Sequence, residues 1–173
     1  MLAGTKIALT ALRRDDADIL FGWINTPDTV RFNAPFSPVH EPGHLAWLER
    51  VTSDPSRIIF GIRSLSTRRL VGVIQLIDLH PVHRSAELII RIGADGDCGH
   101  GFGSEAVRLM TGFAFRDRNL QRVSLKVFAD NARAIRAYEK AGFQREGILR
   151  RAVFIDGAWQ DEVMMAILAD AAA

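Results

Sequence analysis

Apolar and polar positions alternate, cluster and then recur at helical spacing along this chain, and they predict strands interleaved with helices. Lys6 to Arg13 reads as a first strand, with Ile7, Leu9 and Ala11 alternating against polar neighbours. Asp15 and Asp16 stand where an N-cap and first turn favour acids, ahead of Ile19, Leu20 and Trp23, and that helix ends near Asn25-Thr26-Pro27. Thr29 to Pro42 carries three prolines and little periodicity, so it is predicted to be a loop with at most a helical turn. Loops of this length often border a binding site. A second helix from about Glu41 to Val51 places Leu45, Leu48 and Val51 on one face.

Further on, Arg57 to Arg63 is strand-like, Ser64 to Arg69 is a turn, and Leu70 to Leu79 is a long apolar strand. Ser85 to Ile92 is another, with Glu87, Ile89 and Arg91 on one face and Leu88, Ile90 and Ile92 on the other. Gln121 to Ala129 alternates strictly through Val123, Leu125, Val127 and Ala129. Asn131 caps a short helix containing Ala134, Ile135 and Tyr138, which Gly142 ends. Phe143 to Phe154, a turn at Asp156-Gly157, and Trp159 to Leu168 make a β-hairpin. The sum is a mixed sheet with helices on its faces, and no internal repeat interrupts it.

Between the strand at Leu88–Ile92 and the helical pattern of Ala106, Val107, Met110, Phe113 and Ala114 lies Cys98-Gly-His-Gly-Phe-Gly-Ser-Glu-Ala106. Glycines let backbone N–H groups approach an anion without Cβ interference, and the following helix adds roughly half a positive charge at its N-terminus. This predicts a phosphate cradle. It is neither a P-loop, since no lysine precedes Ser104, nor a Rossmann turn, since the glycines alternate and Asp117 lies closer than the expected spacing of about 20 residues.

Composition narrows the class. The 173 residues suit one domain, and 48% hydrophobic with 24% charged residues is ordinary for a soluble globular chain. A net charge of +2 gives no footing for nucleic acid, and the paired arginines read as solvated positions. The single cysteine, Cys98, excludes an internal disulfide and fits a reducing cytoplasm. No signal-like segment is present, and no apolar run approaches the ~18 residues of a membrane span, so no membrane partner is expected.

Two side chains stand out chemically. Tyr138 is the only tyrosine, and a phenol with a reference pKa of about 10 can give a proton to a departing thiolate. Glu87, near the sheet centre, can take a proton from an amine directly or through water. His80 and His83 are spaced His-x-x-His but lack a third ligand, so no metal is expected. Cys98 has no paired base that would make it a nucleophile.

Together these stretches resemble the GNAT superfamily of acetyl-CoA-dependent N-acetyltransferases, over about Val71 to Leu168. The loop is similar to the family form Arg-Gly-x-Gly-x-Gly-Thr-Glu-Ala, with Cys98 departing from the usual basic or amide residue. Asn131 through Tyr138 to Gly142-Phe143 matches a second signature, and Asp156-Gly-x-Trp159 with Asp161 and Met164-Met165-Ala166 matches the closing hairpin. Within the family the chain looks like the branch of ribosomal-protein N-terminal and spermidine acetyltransferases, and Val82-His-Arg-Ser-Ala-Glu87 is similar to the polyamine enzymes.

The resemblance implies a GNAT fold, α+β, with a mostly antiparallel sheet of about seven strands and about four helices. It implies acetyl-CoA as cosubstrate, its pantetheine arm beside Ile90, Ile92 and Gly93. Its pyrophosphate would lie on Cys98, Gly99, His100, Gly101, Phe102, Gly103 and Ser104, and Asn131 and Tyr138 would stand near the thioester. Tyr138 becomes the acid that protonates the thiolate, and Glu87 the base for direct attack by a primary amine in a ternary complex. A homodimer is a further expectation from the family. The rival reading is a non-catalytic acyl-CoA sensor. Arg31, Phe32, Glu41 and Glu87 are expected at the acceptor site. A peptide N-terminus, a small amine, spermidine and an aminoglycoside all remain open there, and the scarcity of acids in the 29–42 loop argues mildly against spermidine.

Overall fold

The computed structural model describes residues 1–31, 35–93 and 97–169. Eight strands form one sheet: β1 (Leu2–Ala3), β2 (Ile7–Thr10), β3 (Ile58–Ser64), β4 (Leu70–His80), β5 (Ser85–Ile92), β6 (Arg122–Phe128), β7 (Gln144–Ile155) and β8 (Ala158–Leu168). Their spatial order is β1-β2-β3-β4-β5-β6-β8-β7. Every neighbouring pair is antiparallel except β5 and β6. Five α-helices accompany them: α1 (Ala17–Ile24), α2 (Pro27–Val30), α3 (Glu41–Ser53), α4 (Phe102–Arg116) and α5 (Ala132–Lys140).

Alternation assigns the faces. Ile74 and Leu76 of β4, Ala86 and Leu88 of β5, Val123, Leu125 and Val127 of β6 and Val163, Met165 and Ile167 of β8 share a core with Ala106, Val107, Met110 and Ala114 of α4 and Ile135 of α5. One side of the sheet is thus covered by α4 and α5. Helices α1 to α3 serve the other side, where Trp23 of α1 lies so close to Gly93 that a Cβ there would fall 1.9 Å from the indole.

The predicted elements are present with small differences. β1 and α2 were too short to announce themselves, which raises the strand and helix counts to eight and five. On α3 the buried positions are His44 and Val51, while Leu45 is 44% exposed. His44 takes the inward place because its Nε2 lies 2.9 Å from the Ala17 carbonyl. Asp16 does not cap α1. Its buried carboxylate accepts the Arg13 N–H at 2.8 Å and pairs with Arg63 at 2.7 Å. Asn131 caps α5, Oδ1 accepting the Ala134 N–H at 3.1 Å. The other end closes as a Schellman turn, with Gly142 N–H donating to Glu139 and Phe143 N–H to Tyr138, each at 3.0 Å. His80 and His83 stack with ring centroids 3.9 Å apart, and His80 Nδ1 accepts the His83 N–H, so their spacing serves the β4–β5 hairpin.

Glu105 ties the N-terminal strand to α4. Its carboxylate accepts the Thr5 N–H, the Thr5 hydroxyl at 2.9 Å and the Lys6 N–H at 3.0 Å. Burial alone would raise its pKa, but the Thr5 donors and the backbone of Lys6 and Ile7 outweigh that and hold it below the ordinary carboxylate range. This stabilisation is present above the unfolded pKa and is lost as pH falls through the lowered folded value. Glu105→Gln should cost roughly 2 kcal/mol at neutral pH, and the Tm gap from wild type should close in acid. A constant gap would mean the carboxylate's charge is not what stabilises.

Candidate active site

The parallel pair builds the site. The β5–β6 ladder runs only from Ser85↔Arg122 to Glu87↔Ser124. Beyond it β5 remains on β4 as far as Ile92, and β6 remains on β8 as far as Phe128. The two halves of the sheet splay apart, and a cleft of about 710 Å³ occupies the opening. Residues from both faces border it: Gly103, Ala134 and Tyr138 on the α4–α5 side, and Asp28, Gln75, Glu87, Lys126 and Glu162 on the other.

One end is the glycine loop. Gly99 and Gly101 have φ of +83° and +82°, which side chains with a Cβ rarely adopt, and Gly101 is the N-cap of α4. The first-turn N–H groups of α4 have no partner within the helix and stand at this end of the cleft. Cys98, Gly99, Gly101, Phe102, Gly103 and Ser104 all border it, as do Ile90, Ile92, Gly93 and Asn131. His100 does not: its ring is exposed and stacks on Phe102, centroids 5.6 Å apart. Its carbonyl instead accepts Lys6 Nζ at 3.1 Å, which brings a cation to the loop from 94 residues away in the chain. The buried Asp97 is fixed by Arg69 at 2.7 Å. Asn131 spends Oδ1 on its cap, so its amide NH2 is the group it can offer a ligand.

At the other end stands Tyr138. Its ring packs into the core beside Phe143, and burial pushes the phenol up to about 12, so it is protonated at any physiological pH. Across the splay, Lys126 Nζ donates to Glu87 Oε2 at 3.1 Å. Glu162, a residue the sequence reading missed, adjoins this pair. Burial raises its pKa, Lys126 lowers it and Glu87 raises it again, leaving it above the ordinary glutamate range. Arg91, also at the cleft, has its pKa lowered by burial.

Two expected acceptor residues lie elsewhere. Arg31 borders a separate pocket of about 90 Å³ with Asp130 and Asp156. Glu41 is exposed in the first turn of α3, and neither it nor Arg31 borders the main cleft. Asp28 and Thr29 of the same region do, because α2 carries them over β5, where the Thr29 hydroxyl reaches the Gly93 carbonyl at 3.3 Å. Phe32 lies outside the described residues.

Residues 6–144 match the acetyltransferase (GNAT) domain family. This chain belongs to the GNAT acetyltransferase family. The acetyltransferase is 29% identical over 166 residues to the spermidine N(1)-acetyltransferase of Vibrio cholerae, covering 95% of this chain and 94% of that protein. It is 39% identical over 112 residues to the probable N-acetyltransferase YjcK of Bacillus subtilis, covering 63% of this chain and 60% of that one. The crystal structure of the Vibrio cholerae spermidine N-acetyltransferase in complex with CoA and spermine superposes with a TM-score of 0.90 at 27% identity, covering 98% and 99% of the two chains. The acetyltransferase thus shares both its sequence family and its fold with N-acetyltransferases. Among its described residues no helix is long and apolar enough to cross a membrane.

Proposed function

We propose that this acetyltransferase moves an acetyl group from acetyl-CoA to a small cationic primary amine, with Tyr138 as acid and Glu162 as base. The observation that carries the reading is the cleft that joins the glycine loop to Tyr138 on one face and to Glu87, Lys126 and Glu162 on the other. The residues present fit a CoA thioester. Gly99 and Gly101 keep a concave loop that a Cβ would strain, the first turn of α4 supplies N–H groups to a pyrophosphate, and Lys6 adds a cation beside it. The splay between β5 and β6 leaves room for a pantetheine arm along β5. Cys98, in place of a basic or amide residue, leaves the backbone cradle intact.

Acetyl-CoA supplies the acetyl group and a thiolate leaving group. Asn131 orients it through its amide NH2. Tyr138 holds its proton at neutral pH and gives it to the sulfur as negative charge collects there. The same burial that raises the phenol also raises a thiolate's basicity, which favours the transfer. An amine of pKa about 10 arrives protonated, and Glu162, already made more basic by its surroundings, takes that proton. Glu87 is engaged by Lys126 on the same face of the cleft. The Vibrio relative is named for spermidine. Asp28, Glu87 and Glu162 give this cleft the acids that are scarce in the 29–42 loop, which suits a cationic acceptor.

Thiol release from acetyl-CoA across a panel of amines tests the reading, with silence from every amine favouring the sensor alternative. Beforehand, acetyl-CoA at a hundred times its dissociation constant should add about 2.7 kcal/mol and raise Tm by several degrees. No rise with acetyl-CoA or CoA would remove the cradle.

A further inference from the structure

The acceptor end of the cleft contains a cation of its own. Lys126 is the one charged residue between Val123 and Phe128 of β6, and the ladder places it on the same face as Glu87, Ser124, Phe128 and Glu162. Its ammonium lies 3.1 Å from Glu87 Oε2 and lowers the pKa of Glu162, so it acts on both carboxylates at once. The Lys126 and Glu87 side chains retain 39% and 25% exposure, so both meet an incoming molecule. Arg91 lies further along β5, and Asp28 faces the cleft from α2.

A pair of carboxylates at the mouth of a cleft would ordinarily recruit a diamine, one ammonium reacting and the other neutralising the second acid. Here the second acid is already neutralised from within. We propose that Lys126 is a specificity determinant: its ammonium stands where the second ammonium of a polyamine would bind, and the enzyme therefore prefers acceptors with a single positive charge. This rests on the amine-acetyltransferase reading above and separates this chain from relatives named for spermidine.

n-Butylamine and 1,4-diaminobutane share a carbon chain and differ by one ammonium, so the ratio of their kcat/KM values isolates the effect. Wild type should favour butylamine. Lys126→Gln should shift the ratio toward the diamine at least tenfold, and Lys126→Arg should keep the wild-type preference. A wild type that favours the diamine, or a Lys126→Gln enzyme that loses both activities with the ratio unchanged, would overturn the proposal. Calorimetric titration of spermidine into the CoA-loaded protein gives a readout independent of turnover. Lys126→Gln should bind it at least tenfold more tightly than wild type, with a steeper loss of affinity as salt is added, and equal affinities, or no binding to either, would sink the idea. If no amine is acetylated while the calorimetric difference persists, the functional reading fails and the electrostatic one stands.

Discussion

Tyr138→Phe should lower kcat at least tenfold while the affinity for acetyl-CoA stays within about twofold of wild type. The substitution removes one oxygen from a ring whose packing beside Phe143 is otherwise kept, so the fold and the cradle are spared. What is lost is the proton donor at the sulfur. Because burial pushes the phenol up to about 12, wild-type activity should show no basic limb from Tyr138 below about pH 11. Thiol release measured across pH, with acetyl-CoA binding followed separately, checks both parts. Unchanged turnover would take Tyr138 out of the mechanism, and a parallel loss of acetyl-CoA binding would make it a wall of the site.

Glu162→Gln should cost about 100-fold or more in kcat/KM, the scale of a lost general base. Burial first, and Glu87 after the opposing pull of Lys126, raise the pKa of Glu162. A base works when deprotonated, so wild-type kcat/KM should fall as pH drops through a value above the ordinary glutamate range, and this limb should vanish in the variant. The stability sign runs the other way. A carboxyl with a raised folded pKa is destabilising when ionised, so Glu162→Gln should keep or slightly raise Tm at neutral pH. Full activity in Glu162→Gln, with loss in Glu87→Gln, would return the base to Glu87.

Elements governed by local rules were legible in the sequence. The strand Ser85–Ile92, the Asn131 cap and the Gly142 terminus sit where alternation and capping chemistry put them. The inward place of His44 was not legible, because its burial depends on the Ala17 carbonyl of another helix. The glycine loop lies on the continuous stretch Cys98–Ser104, so that end of the cleft could be read directly. The acceptor end could not, because Glu162 and Lys126 meet Glu87 only through the register of three strands. A signal existed in each case: Lys126 is a charge between the apolar Leu125 and Val127, and Glu162 is an acid next to the buried Val163. Arg31 and Glu41 lie in the 29–42 stretch expected to border the site, and proximity in sequence did not carry them to the cleft.

The cleft opens on both faces of the sheet, and this has a kinetic consequence. On the function proposed above, the nucleotide portion of acetyl-CoA would approach past α4 and α5 and the amine past α1 to α3, so neither would wait for the other to vacate a shared doorway. Steady-state initial rates should give intersecting rather than parallel double-reciprocal lines. Desulfo-CoA should compete with acetyl-CoA but not with the amine, and an unreactive tertiary amine should show the mirror pattern.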